Sequence, residues 1–204
     1  MNATAPVRMS LSDRIGLVIM IVLGGAAAIW ASYAAVSRII EVLTASAVPV
    51  LAPFIGEPAQ LPIGPGGDLV AVDVEEAVVY ASDLAPATHF ALVAAPIVSL
   101  IATLIVIACI AMFCRNLLRG VAFSRANTRL VLTTSVTIVV GWAIASLFTT
   151  MGVNGAFAAL SDHEYDNVIF TTDFTPAIVA LVLSAVGLAF QAGERMQRDT
   201  EGLI

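Results

Sequence analysis

The sequence predicts an all-α membrane protein with four transmembrane helices, both termini cytoplasmic, and a small β-containing extracytoplasmic region between spans one and two. Three observations carry this. Hydrophobic residues fill 59% of the 204 positions and charged residues only 12%, about half the charged share of an ordinary soluble domain, and the mean hydropathy is +0.97. Four runs, 15–36, 90–114, 130–151 and 174–192, contain no Asp, Glu, Lys, Arg or His. Each is close to the ~20 apolar residues that cross about 30 Å of hydrocarbon. Finally, the charges flanking these runs are sorted by sign, and the whole chain, 1–204, reads as one integral membrane domain.

The first run follows Arg8 and Arg14 and precedes the small residues of WASYAAV. A secretory leader shares those marks, but its apolar core is usually about 7 to 15 residues, so the longer run is read as a span. The region 42–88 holds six of the nine prolines, and Pro49, Pro53, Pro58, Pro62 and Pro65 predict an extended, irregular first half. After GPGGD, Val70, Val72 and Val74 alternate with Ala71, Asp73 and Glu75, the period of two of a half-exposed strand. A second short strand, 77–81, is expected to return beside it.

The second run carries Pro96 and both cysteines, Cys109 and Cys114. Five residues apart on one helix, the two thiols face different directions, which argues for apolar filler rather than a disulfide or metal pair. Gly120 is suited to end the extension of this span and Ser124 to cap the next. Segment 115–129 is therefore a tight turn joining an antiparallel helical hairpin. The outer loop 152–173 follows the third run. Pro176 falls in the first turn of the fourth, where a missing N–H is harmless, and a tail, 193–204, follows.

There is no lysine, so arginine alone reports orientation. Eight of nine arginines fall on one side: Arg8 and Arg14, then Arg115, Arg119, Arg125 and Arg129, then Arg195 and Arg198. Only Arg38 falls opposite, three residues before Glu41, a helical pairing distance. Eleven of the fifteen acids lie on the side of Arg38. Both termini are thus expected to be cytoplasmic.

Orientation accounts for Arg115, Arg119, Arg125 and Arg129 without further help. A nucleic-acid module needs a basic region able to fold alone, and this short connection offers none, so no direct nucleic-acid binding is expected. Docking is the remaining role. Arg115 with Arg119, and Arg125 with Arg129, repeat at i, i+4, and each pair would present one face to anionic lipid headgroups or an acidic partner.

Within the runs, small residues recur every four positions: Gly24, Ala28 and Ser32; Thr133, Thr137, Gly141, Ala145 and Thr149; Ala180 and Ser184. Such stripes let helix backbones approach closely. A polar seam along a small-molecule path, joined by Ser99 and Thr103, is the functional alternative. The absence of ionisable groups in the runs weakens ion-coupled transport.

The segment SDHEYDN, 161–167, is where His and carboxylates gather. It lacks the second histidine of a zinc-protease helix and the glycine and spacing of a calcium hand. A solvated acidic loop is the plain expectation. Asp162, His163, Glu164 and Asp166, with His89, form the sharper candidate for outward sensing of pH or a divalent cation. No cofactor is expected.

Two stretches, LLRGVAFSRANTRL (117–130) and AFQAGERMQRDTEGLI (189–204), together with the four runs, resemble the bacterial domain-of-unknown-function 2975 family of membrane proteins. The positions that carry the resemblance are Gly120, Phe123 and Asn127 in the first stretch, and Phe190, Gly193, Asp199, Glu201 and Gly202 in the second. Val131 stands where the pattern has leucine, with Leu130 one place early. The resemblance implies a bacterial plasma membrane location and a small helix-turn-helix regulator as cytoplasmic partner; the family has no established chemistry.

No nucleophile–base set, phosphate-binding glycine loop or complete metal site is visible in the sequence, so an enzyme is not expected. The leading expectation is a non-enzymatic regulator or sensor that docks a cytoplasmic partner. A transporter or auxiliary permease subunit, and an accessory subunit of a larger membrane complex, are the alternatives.

Overall fold

Ser10 and Asp13 open the first helix by exchanging bonds: Asp13 N–H donates to Ser10 Oγ (3.1 Å) and Ser10 N–H to Asp13 Oδ2 (3.2 Å), satisfying two backbone donors at once. The computed structural model describes residues 10–122, 124–164 and 173–201, with side chains described for all of these except 55 and 197–201. Arg8, Phe123, Asp166 and Gly202 lie outside the described residues, as do the side chains of Arg198, Asp199 and Glu201.

The elements are α1 (Leu11–Thr44), β1 (Val48–Leu61), β2 (Val70–Ala81), α2 (Pro86–Leu118), α3 (Arg125–Leu160) and α4 (Thr175–Glu201), with a short 3-10 turn at Pro65–Gly67. All four helices are long and apolar enough to cross a membrane. Each contains one of the predicted runs almost whole. α1 and α3 extend about two turns beyond their runs at the C-terminal end, and Pro96 lies well inside α2, where its ring leaves the Leu92 carbonyl without its usual helical donor.

The described residues group into two compact units: those within 1–36, 97–144 and 173–204 form one, and those within 37–96 and 145–172 the other. In the first unit, α2 and α3 meet at Gly141, where a Cβ would run into that of Ala102. α3 and α4 are joined by Ser135 Oγ, 2.7 Å from both Ala180 O and Ser184 Oγ. Phe113 and Phe190 meet edge to face at 5.7 Å between α2 and α4. α1 turns Gly24, Ala28 and Ser32 inward, with Gly24 against Ile107.

The long stripe predicted on α3 holds only at its centre, where Gly141 is buried and Thr137 and Ala145 are half-buried. Thr133 and Thr149 are exposed, whereas Asn127, Thr128, Thr134 and Ser135 are buried. A strict four-residue spacing advances about 40° per step around a helix of 3.6 residues per turn, so five such positions cannot share one face. Ser99 and Thr103 are exposed and join no seam with the buried hydroxyls.

In the second unit, β1 and β2 form one antiparallel ribbon from Val48↔Ala81 to Leu61↔Val70, with a register shift between Pro53 and Glu57. This corrects two expectations. The proline-rich half is a strand, and 70–75 and 77–81 are two parts of one strand rather than a hairpin of their own. The inward face of β2 changes phase at the shift, from Val72 and Val74 to Ala77, Val79 and Ala81. That slip is what made the segment read as two strands.

A two-stranded ribbon has two open edges, and proline is tolerated where its position faces outward. Pro49 and Pro53, four residues apart, share such an edge. The Pro49 carbonyl indeed points away from β2 and accepts from Arg38 Nη2 at 2.6 Å. The loop closes where Gly64 N–H bonds Asp68 O (2.9 Å). The ribbon's base, Val48, Val50, Ala52 and Ala81, is buried with Val42, Leu84, Leu92, Val153, Ala156 and Phe157, and Phe54 packs edge to face on Phe157.

Candidate functional site

The connection between α2 and α3 is built as its residues dictate. Gly120 adopts φ +78, its N–H bonds Leu117 O (2.8 Å), and Val121 N–H bonds Asn116 O (3.0 Å). This paired closure satisfies two of the helix's last carbonyls and is open to glycine because it needs a left-handed residue. Four residues on, Ser124 Oγ accepts from Asn127 N–H (3.2 Å) and caps α3.

Asn127 then locks the turn from inside. It is fully buried. Its Oδ1 accepts from Asn116 Nδ2 (2.7 Å), and its own Nδ2 donates to Val121 O and Ala122 O (both 2.8 Å). Sequence reasoning singled out Asn127 only through the family resemblance and missed this role; a lone asparagine three residues after a cap residue was the available signal.

That turn positions the arginines. Arg115, Arg119, Arg125 and Arg129 are all exposed. Arg119 lies past the end of α2, its N–H bonding Arg115 O (3.2 Å) and Asn116 O (3.1 Å). Arg125 and Arg129 line an open cleft of about 350 Å³ together with Thr128, Leu132, Gln191, Glu194 and Arg195. Arg115 and Arg119 do not line it. The structure thus splits the four predicted residues and adds Arg195 of α4, distant in sequence.

Within the cleft, Arg125 Nε bonds Glu194 Oε1 at 3.3 Å. Arg129 and Arg195 have no acidic partner among the described residues. Thr128 Oγ1 is buried and has no hydrogen-bond partner among the described residues, although the residue lines the cleft wall. The net positive charge and a spare hydroxyl suit an anion with several oxygens.

The second candidate group follows α3. Asp162 and His163 adopt φ +50 and +68, and His163 N–H reaches back to Ala158 O (3.1 Å), closing the helix end. Asp162, His163 and Glu164 are exposed, while His89 is half-buried in the first turn of α2. Asp166, the fourth predicted member, lies outside the described residues. Among the described residues no three His, Cys, Asp or Glu side chains gather to hold a metal ion.

No family model, curated protein or solved structure matches this chain.

Proposed function

We propose that this chain is a multi-pass protein of a bacterial plasma membrane, with both termini cytoplasmic, and that it acts as a non-enzymatic regulator or sensor docking a cytoplasmic partner on its basic end. Membrane insertion is supported by the exposed apolar surface of the helices: no residue in the most apolar stretch of α1 is buried, and Ile29 and Trp30 are more than two-thirds exposed. Such surface is stable in lipid and not in water.

The observation that carries the docking role is the convergence of arginines at one end of the α2–α3–α4 unit: Arg125, Arg129 and Arg195 around one cleft, with Arg115 and Arg119 exposed on the same connection. The family resemblance makes a small helix-turn-helix regulator the candidate partner. On this reading the β ribbon is the outward element, and Asp162, His163 and Glu164 lie on its side of the membrane.

Two experiments test the reading. In a background lacking Cys109 and Cys114, Ile63→Cys in the ribbon loop is expected to react with an impermeant maleimide in intact cells, and Ala126→Cys only after permeabilisation. The opposite pattern would reverse the orientation. A mild-detergent pull-down with mass spectrometry is expected to retain a small DNA-binding protein with the parent and lose it with Arg119→Glu, Arg125→Glu. Retention of no cytoplasmic protein by the parent would end the docking role.

A further inference from the structure

We propose that the cleft between α3 and α4 is a headgroup site for an anionic phospholipid, whose phosphate is held by Arg129, Arg195 and the Thr128 hydroxyl. This rests on the membrane reading above, and not on the partner-docking part of it. Three features of the cleft point to a ligand rather than to a solvated charge cluster.

The first is charge left over after internal pairing. Glu194, the acidic side chain in the lining, lies against Arg125, which offsets its repulsion of an incoming anion. Arg129 and Arg195 keep their guanidinium groups free of acidic partners among the described residues, and guanidinium forks match phosphate oxygens two at a time.

The second is Thr128. On a helix a threonine hydroxyl commonly returns to the carbonyl four residues back, as Thr134 Oγ1 does to Leu130 O at 2.9 Å. Thr128 Oγ1 makes no such bond, and the residue is only 4% exposed. A buried hydroxyl without a partner is costly, and in the wall of a basic cleft a small movement would offer its proton to a bound oxyanion.

The third is depth. Leu132 lines the same cleft, and the uncharged runs begin at 130 on α3 and end at 192 on α4. The arginines therefore sit at the border between apolar helix and charged connection. In a bilayer that border is where lipid phosphates lie, and basic pockets between helices at this level hold anionic headgroups. A soluble phosphate has no use for the apolar wall; a lipid's glycerol and acyl chains do.

The test uses the full chain purified in a mild detergent, with thermal unfolding followed during titration with phosphatidylglycerol, phosphatidylcholine or inorganic phosphate. Phosphatidylglycerol is expected to raise the midpoint, and the concentration needed is expected to rise about thirtyfold in Arg129→Gln, Arg195→Gln, from the loss of two near-surface arginine contacts. Both positions are exposed, so the variant should fold; Arg195→Lys, which cannot make paired bonds, is the second variant, expected to be weakened less.

Equal stabilisation by phosphatidylcholine would overturn the proposal, because the effect would then be general solvation. Equal stabilisation by inorganic phosphate would overturn the lipid source. An unchanged response in both variants would move the site elsewhere. Release of the protein from membranes by alkaline carbonate would instead sink the membrane reading, whereas carbonate resistance with no phosphatidylglycerol effect would sink this inference alone.

Discussion

Asn116 Nδ2 donates to Asn127 Oδ1 at 2.7 Å across the turn between α2 and α3, tying the last turn of one helix to the first turn of the next. With the Asn127 amide also donating to two loop carbonyls, one buried side chain replaces the water that the turn's backbone would otherwise need. Asn127→Ala removes these three side-chain bonds, each worth about 0.5–1.5 kcal/mol net. The expected result is a clear fall in the detergent unfolding midpoint, larger than for Asn116→Ala, which removes a single bond. A variant melting with the parent would show that the turn is held by other means.

Close helix contact at Gly141 makes a second prediction. A Cβ there meets that of Ala102 on α2, so Gly141→Ala must push two backbones apart, at about 1–3 kcal/mol. Gly25, on α1, has nothing within 4 Å, and there alanine's better helix propensity should help by up to about 1 kcal/mol. The pair of variants, compared by thermal unfolding in one detergent, should move in opposite directions.

Arg38 should anchor the ribbon. It pairs with Glu41 at 2.5 Å, as the sequence spacing predicts, and donates to the Pro49 carbonyl at 2.6 Å. Its side chain is 31% exposed, so solvent screening limits the ion pair to about 1 kcal/mol or less. The clearer readout is local: Arg38→Ala should speed amide hydrogen exchange in β1 near Val48 and Val50 while leaving α3 unchanged.

Acidification should loosen the start of α4. The hydroxyl and N–H of Thr175 both bond Asp173, the N–H at 2.9 Å, and hold its carboxyl below the ordinary value. A depressed folded value means the contribution is full above the ordinary carboxylate pKa and is lost as pH falls through the lowered one. Exchange at Thr175 should rise over that acidic window in the parent. In Asp173→Asn it should not depend on pH there beyond the intrinsic exchange rate.

What the sequence determined by itself is what a single helix or strand decides alone. Charge-free runs of sufficient length specify four long helices, because an apolar helix needs no partner to satisfy its backbone. Gly120 and Ser124 end and begin helices through bonds within a few residues, and the Arg38–Glu41 pair is one turn long; all three were legible for that reason.

What only the tertiary structure decided depends on residues distant in the chain. The proline-rich segment became a strand because β2 offered a partner and the ribbon an outward edge, a pairing no local pattern contains. The buried face of α3 was set by which side met α2 and α4, not by small-residue spacing, which drifts around the helix. The candidate site divides in the same way: the arginines of the connection were readable as a charged turn, but Arg125 and Arg129 were joined to Arg195 and Thr128, and parted from Arg115 and Arg119, only when α4 packed beside α3. Charge is a property of the sequence; a cleft needs two walls, and folding brings the second from another part of the chain.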